Sequence, residues 1–400
     1  MPPRLMHVDL DAFFVEVCRR RHPPLRDVDL LVVGGRRESR GVVQSASYGA
    51  RKFGIRAGMP IARAVALCPA ATFFKGEFAW YREASHQVRA TLERFSPTVV
   101  MASLDEGYLD FTGTERLHPV SLLPVAEAVR EAVRADAGLD VSIGIGPNRM
   151  VAKLASDAAK PRGLMEVRAG WEEGFLAGLE LRALPGVGPM SARRLADLGL
   201  REVWEVQRRP ERELVALLGE EGRLLKLRAH GHGGTVLRPD RPPKSVSRET
   251  TFGHDLRDPE ELEAVLLLFA TRVASQLRHE QLVARTVTLK LRHDDFHTVT
   301  RRSTLPDATD LDRDLFETAR RLLVEAFGDA RRRNRGVRLI GLAATSLARA
   351  SEPDLFEPPE RERLRRLTAA MDEVRDRYGA EAMQPGRLLA LKQRRGGPRD

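Results

Sequence analysis

Residues 236–243 read VLRPDRPP, with three prolines set among charged side chains, and this stretch limits the fold more than any other. Proline fixes φ and withdraws a backbone donor, so such a segment cannot run through the interior of a helix or sheet. It reads as a linker, and the 400-residue chain is long enough for two to four domains around separate cores. After the linker, apolar periodicity predicts strand 245–252, helix 259–278, strand 284–292, strand 298–304, helix 311–327 and strand 337–344. That β-α-β-β-α-β order is the one a split-βαβ module takes.

Before the linker, LMHVDL (5–10) alternates, which predicts a short half-buried strand with Asp9 near its end. A helix can start at Asp11 and run to Arg21. TVVMASL (98–104) and GYLDF (107–111) read as a hairpin with Asp105 and Glu106 at or beside the bend. Leu122, Val125, Ala126, Val129 and Val133 keep helical spacing, Val141, Ile143 and Ile145 alternate as a strand, and a helix follows Asn148 to about Ala159. The order predicts an α+β sheet with helices on one side. Residues 167–235 look helical and small, with a Pro-Gly-Val-Gly-Pro turn at 185–189. Beyond Arg349 the chain turns Pro- and charge-rich, with a helical pattern at 360–378 and a basic end.

A net charge of +10 favours a polyanionic partner, nucleic acid or an anionic surface, or else reflects a solvated Arg-rich exterior. Two cysteines, Cys18 and Cys68, outside any CxxC or Cys/His cluster argue against a zinc site or a disulfide framework. The first apolar run is broken by Asp9 and Asp11, and apolar stretches such as 264–270 are too short to span a bilayer. The expectation is a cytoplasmic protein with no membrane partner.

If the strands ending at Asp9 and beginning near Asp105 pair, three carboxylates meet at one sheet edge, since neighbouring strands lie about 4.8 Å apart. Like charges that close need cations, and hard oxygen ligands suit Mg²⁺ or Mn²⁺. The alternative is that these acids cap turns on a wet surface. Tyr48, Arg51 and Lys52 crowd YGARKFG (48–54), and Lys160 closes a helix; they are either phosphate binders or surface charge.

Taken together, VDLDAFF (8–14), SYGARKFGIRAGMP (47–60), SLDEGYLD (103–110), GIGPNRMVAKLASDAAKPRG (144–163) and LPGVGPMSARRL (184–195) closely resemble the Y-family DNA polymerases, in the family's order across about 345 residues. The resemblance implies a multidomain α+β, right-hand-like polymerase. A ferredoxin-like palm would span 1–10 and 78–166, small fingers 11–77, and a helical helix-hairpin-helix thumb 167–235. The linker 236–243 would lead to a split-βαβ little finger, 244–347, and a tail, 348–400. It implies low-fidelity translesion synthesis on primer-template DNA with dNTPs, by a monomer using two Mg²⁺ ions, with Mn²⁺ as a substitute. Asp9, Asp105 and Glu106 match the metal ligands, with the Leu10 carbonyl added. Tyr48, Arg51 and Lys160 match triphosphate contacts, and Phe14 the steric gate beneath the sugar.

Gly186 and Gly188 match the thumb's phosphate-binding turn, which a purely structural helix connection would also explain. Arg331, Arg332 and Arg333, with Arg335 beyond, could track phosphates or form a solvated loop. Asp354, Leu355 and Phe356 keep part of a sliding-clamp peptide, although Glu352 and Pro353 depart from it; the apolar pair would plug a partner's groove or fold back on the protein. Gln44, Ser47 and Gly107 also depart from frequent family residues. Two rival readings are a non-catalytic DNA or clamp adaptor and another two-metal palm enzyme such as a nucleotide cyclase. The first should have lost its carboxylates, and the second has no use for a helix-hairpin-helix segment or a linked basic module.

Overall fold

The computed structural model describes residues 2–238, 242–332, 335–350, 359–379, 382–384 and 386. The chain divides into two compact units, Met1–Arg241 and Pro242–Asp400, and the division falls inside the proline-rich stretch.

The first unit is built on a five-stranded sheet in the order Val99–Met101, Glu106–Asp110, Leu5–Leu10, Val141–Gly146, Leu164–Glu166. The middle strand, Leu5–Leu10, is antiparallel to both neighbours. Its six residues are all buried, whereas alternation suggested a strand wet on one face. Met6, Val8 and Leu10 pack into a core that takes in helices Phe13–Arg21, Phe78–Leu92 and Leu123–Ala137. Helix Arg149–Ala159 covers the opposite face, where Leu5 meets Ala152 and the His7 ring meets Ser156. Helices therefore lie on both sides of the sheet, not on one.

Glycine makes the second layer possible. A Cβ on Gly144 would stand 2.1 Å from both the Ala152 carbonyl oxygen and the Ser156 nitrogen. Only a bare backbone lets the helix approach this closely. Asn148 caps that helix, its side-chain oxygen accepting from Val151 N at 3.0 Å.

A smaller three-stranded sheet, Ser45–Ala46, Leu31–Val33 and Thr72–Phe74, has its own core around Val32, Ile55 and Ile61. Residues 172–229 form short helices around Leu176, Val203 and Leu214. Cys18 and Cys68 are free and buried.

The second unit realises the β-α-β-β-α-β order. Its antiparallel strands Thr298–Thr309, Leu282–His293, Val337–Arg349 and Ser245–Leu256 lie in that spatial order. Helices Pro259–His279 and Asp312–Arg332 bury their apolar stripes against the sheet. The helical pattern beyond residue 360 becomes helix Pro359–Tyr378, which packs onto this unit rather than standing free. Arg278 bonds Asp312 at 2.9 Å and Asp372 at 2.7 Å, and Arg375 bonds Asp372 at 3.0 Å. No helix among the described residues is long and apolar enough to cross a membrane.

Candidate active site

The pairing assumed from sequence is present. Asp9 stands directly opposite Glu106 on one side and Ser142 on the other. The Leu10 N–H donates to the Asp105 carbonyl at 2.8 Å. Asp9, Leu10, Asp105 and Glu106 thus converge at one end of the sheet, with Asp9 and Glu106 on a common face as direct cross-strand partners. Asp105 accepts a hydrogen bond from the Ser103 hydroxyl.

Two ammonium groups sit on two of these carboxylates. Lys160 Nζ is 2.7 Å from Asp9 Oδ2 and 2.9 Å from Asp157 Oδ1. Lys153 Nζ donates to Glu106 Oε2, and His7 Nε2 lies 3.6 Å from the same oxygen. Burial pushes the Asp9 carboxyl up, with Lys160 pulling against it. The Lys160 ammonium is raised even against burial, because Asp9 and Asp157 flank it. Glu106 is held down to about 2 by His7 and, against its burial, by Lys153. The two carboxylates therefore differ: one is destabilised by desolvation, and the other is kept ionised by its contacts with His7 and the Lys153 ammonium.

Among the described residues, no three His, Cys, Asp or Glu side chains stand in metal-ligand geometry. The donor set nonetheless fits a hard divalent cation, being all oxygen: three carboxylates and a backbone carbonyl. The lysines already on Asp9 and Glu106 demonstrate that these oxygens accept positive charge where they stand.

A second cluster adjoins the first. Asp11, 5% exposed, accepts from the Tyr48 hydroxyl at 2.9 Å, the Ser142 hydroxyl at 3.0 Å and the Arg162 backbone N–H at 2.8 Å. Tyr48 opens the short helix Tyr48–Arg51, whose N-cap Ser47 accepts from Ala50 N at 3.2 Å. Burial and Asp11 push the Tyr48 phenol up to about 12, so it remains a donor. The Arg51 guanidinium lies over the Tyr48 ring, 4.9 Å from its centroid, and donates through Nε to the Ala46 carbonyl. Asp11 thus ties Tyr48 and Arg51 to the strand end that bears Asp9.

Phe14 is half-buried, its ring edge-to-face with Tyr81 at 4.7 Å and with Phe13 at 5.2 Å. Tyr81 is fully buried, and its hydroxyl meets Cys18 Sγ at 3.1 Å. The Phe14 ring therefore rests against an aromatic cluster and stays partly exposed. Gly107 stands where an added Cβ would lie 2.8 Å from Met101 Sδ, so an alanine there would require Met101 to move. Nothing in the structure explains Gln44.

Away from the sheet, Gly186 adopts φ 89° and Gly188 caps helix Pro189–Asp197. Arg335 is ion-paired, contacting Asp295 and, at 3.6 Å, Asp294, which ties it to the neighbouring turn. Arg331 and Arg332 close helix Asp312–Arg332. Arg333, Asp354, Leu355 and Phe356 lie outside the described residues.

Sequence reasoning passed over His7, Asp11, Ser142 and Lys153. Asp11 and His7 flank Asp9 at two-residue spacing, a visible signal; Ser142 and Lys153 join only through sheet register and helix docking.

Comparison with known proteins identifies the family. Residues 8–157 match the impB/mucB/samB family, and residues 243–355 its C-terminal domain. The chain is 40% identical over 387 residues to a DNA polymerase IV of Caulobacter vibrioides, covering 96% of this chain and 94% of that one. It is 39% identical over 389 residues to a DNA polymerase IV of Dehalococcoides mccartyi, covering 97% and 98%. A solved Y-family DNA polymerase chimera superposes with TM-score 0.73 at 24% identity, covering 86% of this chain and 98% of that one. With both family segments matched and identity held over nearly the full length, the chain belongs to the impB/mucB/samB family, as a Y-family polymerase of the bacterial DNA polymerase IV type.

Proposed function

We propose that the chain performs template-directed DNA synthesis with low fidelity, inserting nucleotides opposite damaged template bases. The observation that carries this reading is the direct opposition of Asp9 and Glu106 on adjacent strands, with Asp105 at the bend and cationic side chains on two of the three carboxylates. Asp9, Asp105, Glu106 and the Leu10 carbonyl would hold two Mg²⁺ ions, with Mn²⁺ able to replace them. When bound, such ions activate the primer hydroxyl and neutralise the pyrophosphate that departs.

The chain's own groups do the rest. Lys160 presents a fixed positive charge beside Asp9, where a triphosphate would need one. Tyr48 offers a protonated hydroxyl and Arg51 a planar fork, both suited to phosphate oxygens. The partly exposed ring of Phe14 would exclude a 2′-hydroxyl. The small sheet around Val32 and its helices, read as fingers, offer little surface for checking a base pair, so selection rests on pairing geometry. We read the five-stranded sheet as palm, residues 167–235 as thumb and the second unit as little finger. Gly186 and Gly188 would take backbone phosphate at a helix N-terminus. Arg331, Arg332 and Arg333 would track the duplex as a monomer moves along it. Asp354, Leu355 and Phe356 would contact a sliding clamp.

Primer extension with Mg²⁺ tests the reading. Wild type should extend a primer in template order, and Asp105→Ala should abolish nearly all extension, by about 10³-fold or more, with primer-template binding retained. Near-normal turnover in that variant would remove the assignment. DNA binding without extension by wild type would favour an adaptor, and cyclisation of a nucleoside triphosphate without a template a cyclase.

A further inference from the structure

Lys153 marks the Glu106 carboxylate as a group that accepts positive charge, and among the described residues its ammonium lies closer to that carboxylate than the His7 ring does. Its position comes from the helix that glycine admits. Helix Arg149–Ala159 lies on the face of the central strand that carries His7 and Asp9. One turn along, the Ser156 hydroxyl donates to the Lys153 carbonyl at 2.8 Å, so it must accept from His7 Nδ1, 2.6 Å away. Ser156 thereby locks the His7 ring to the helix turn that bears Lys153. His7 is fully buried, its Nε2 has no hydrogen-bond partner among the described residues, and that atom faces Glu106 Oε2 at 3.6 Å. Lys153 addresses the same oxygen. Glu106 Oε1 receives neither contact.

This asymmetry separates the pair from an ordinary surface ion pair, which contributes little because both side chains wander. Here one carboxylate oxygen is held by a tethered ammonium beside a buried ring, and Oε1 is left outside both contacts on a residue that pairs directly with Asp9. Outer groups that hold a liganding side chain in this way fix its rotamer before a cation arrives.

We propose that Lys153, braced by the Ser156–His7 pair, is a positioning residue that pre-orients Glu106 and leaves Oε1 to take a divalent cation. The proposal rests on the assignment of Glu106 as a metal ligand. Removing the ammonium also removes a positive charge near the cation, which by itself would tighten metal binding. Orientation and charge therefore predict opposite signs, and a binding measurement decides between them.

The test uses the full chain with primer-template DNA, a primer ending in a 3′-deoxy nucleotide, and the complementary dNTP, so that no turnover occurs. Free Mn²⁺ is counted by electron paramagnetic resonance. Lys153→Met should weaken Mn²⁺ uptake by about tenfold or more, and Lys153→Arg, which restores a cationic donor, should recover most of the loss. With its side chain 33% exposed, residue 153 can carry methionine; if the melting temperature nevertheless falls, Lys153→Gln takes its place with the same expectation. Mn²⁺ binding in the folded Met or Gln variant as tight as in wild type, or tighter, overturns the positioning role while leaving Glu106 a ligand. Failure of the wild-type complex to take up Mn²⁺ overturns the ligand assignment and the positioning role together.

Discussion

Phe14 shows how much a single side chain's surroundings decide. Its neighbour Phe13 is 1% exposed and belongs to the core, whereas Phe14 leans on Tyr81 and stays partly exposed. A ring supported from behind cannot yield to an added hydroxyl without disturbing the fully buried Tyr81 and its Cys18 contact. Phe14→Ala should therefore raise ribonucleotide use relative to deoxyribonucleotide use by roughly tenfold or more, about 1.4 kcal/mol of lost discrimination. The measurement is the ratio of kcat/KM for matched rNTP and dNTP. An unchanged ratio would place Phe14 with Phe13 as ordinary packing.

At the scale of elements, helix Pro359–Tyr378 docks in an unusual manner, because its buried residues are Thr368, Asp372 and Arg375 rather than an apolar stripe. Arg278 sits between Asp312 and Asp372, so attachment depends on ionisation. His279, next along, bonds Asp376 at 2.9 Å, and its imidazole is raised above the ordinary value of 6.5 by the Ser275 carbonyl and then by Asp376. A group whose folded value is raised contributes stability fully below its unfolded value and loses it as pH rises through the folded value. Docking should accordingly be firmest below about pH 6.5 and loosen above it. Hydrogen exchange of residues 359–378, corrected for intrinsic rates, should show less protection at pH 8.5 than at pH 6. His279→Gln should flatten that difference, and a variant that keeps the full difference would separate His279 from the docking.

For the molecule as a whole, a charge of +10 acts on a polyanion through counterion release. Affinity for duplex DNA should fall with salt with a slope of about −0.9 per phosphate neutralised. The second unit has a core of its own, so the chain truncated at residue 243 should remain folded. It should bind more weakly and with a flatter slope, as read by fluorescence anisotropy across a salt series. The same slope and affinity in both would remove the second unit from the DNA contact.

Local periodicity carries information about elements, and here it located most of them. The alternation of LMHVDL gave a strand at Leu5–Leu10, and Pro259–His279 differs from its expectation by one residue. Strands of the second unit ran longer than alternation suggested, as in Ser245–Leu256, because pairing with a neighbour holds residues whose own pattern is weak. Motif order carried the family and the carboxylates. What sequence could not supply was which groups face each other across the layers. Nothing local says that Gly144 exists to admit a helix, that this helix covers the face bearing His7, or that Lys153 and Lys160 reach Glu106 and Asp9 from it. Nor does it say that the helix beyond residue 359 is held by Arg278. Most of those contacts join residues far apart in the chain, as His7 and Ser156 are, and they follow from register and close approach, which only the assembled chain determines.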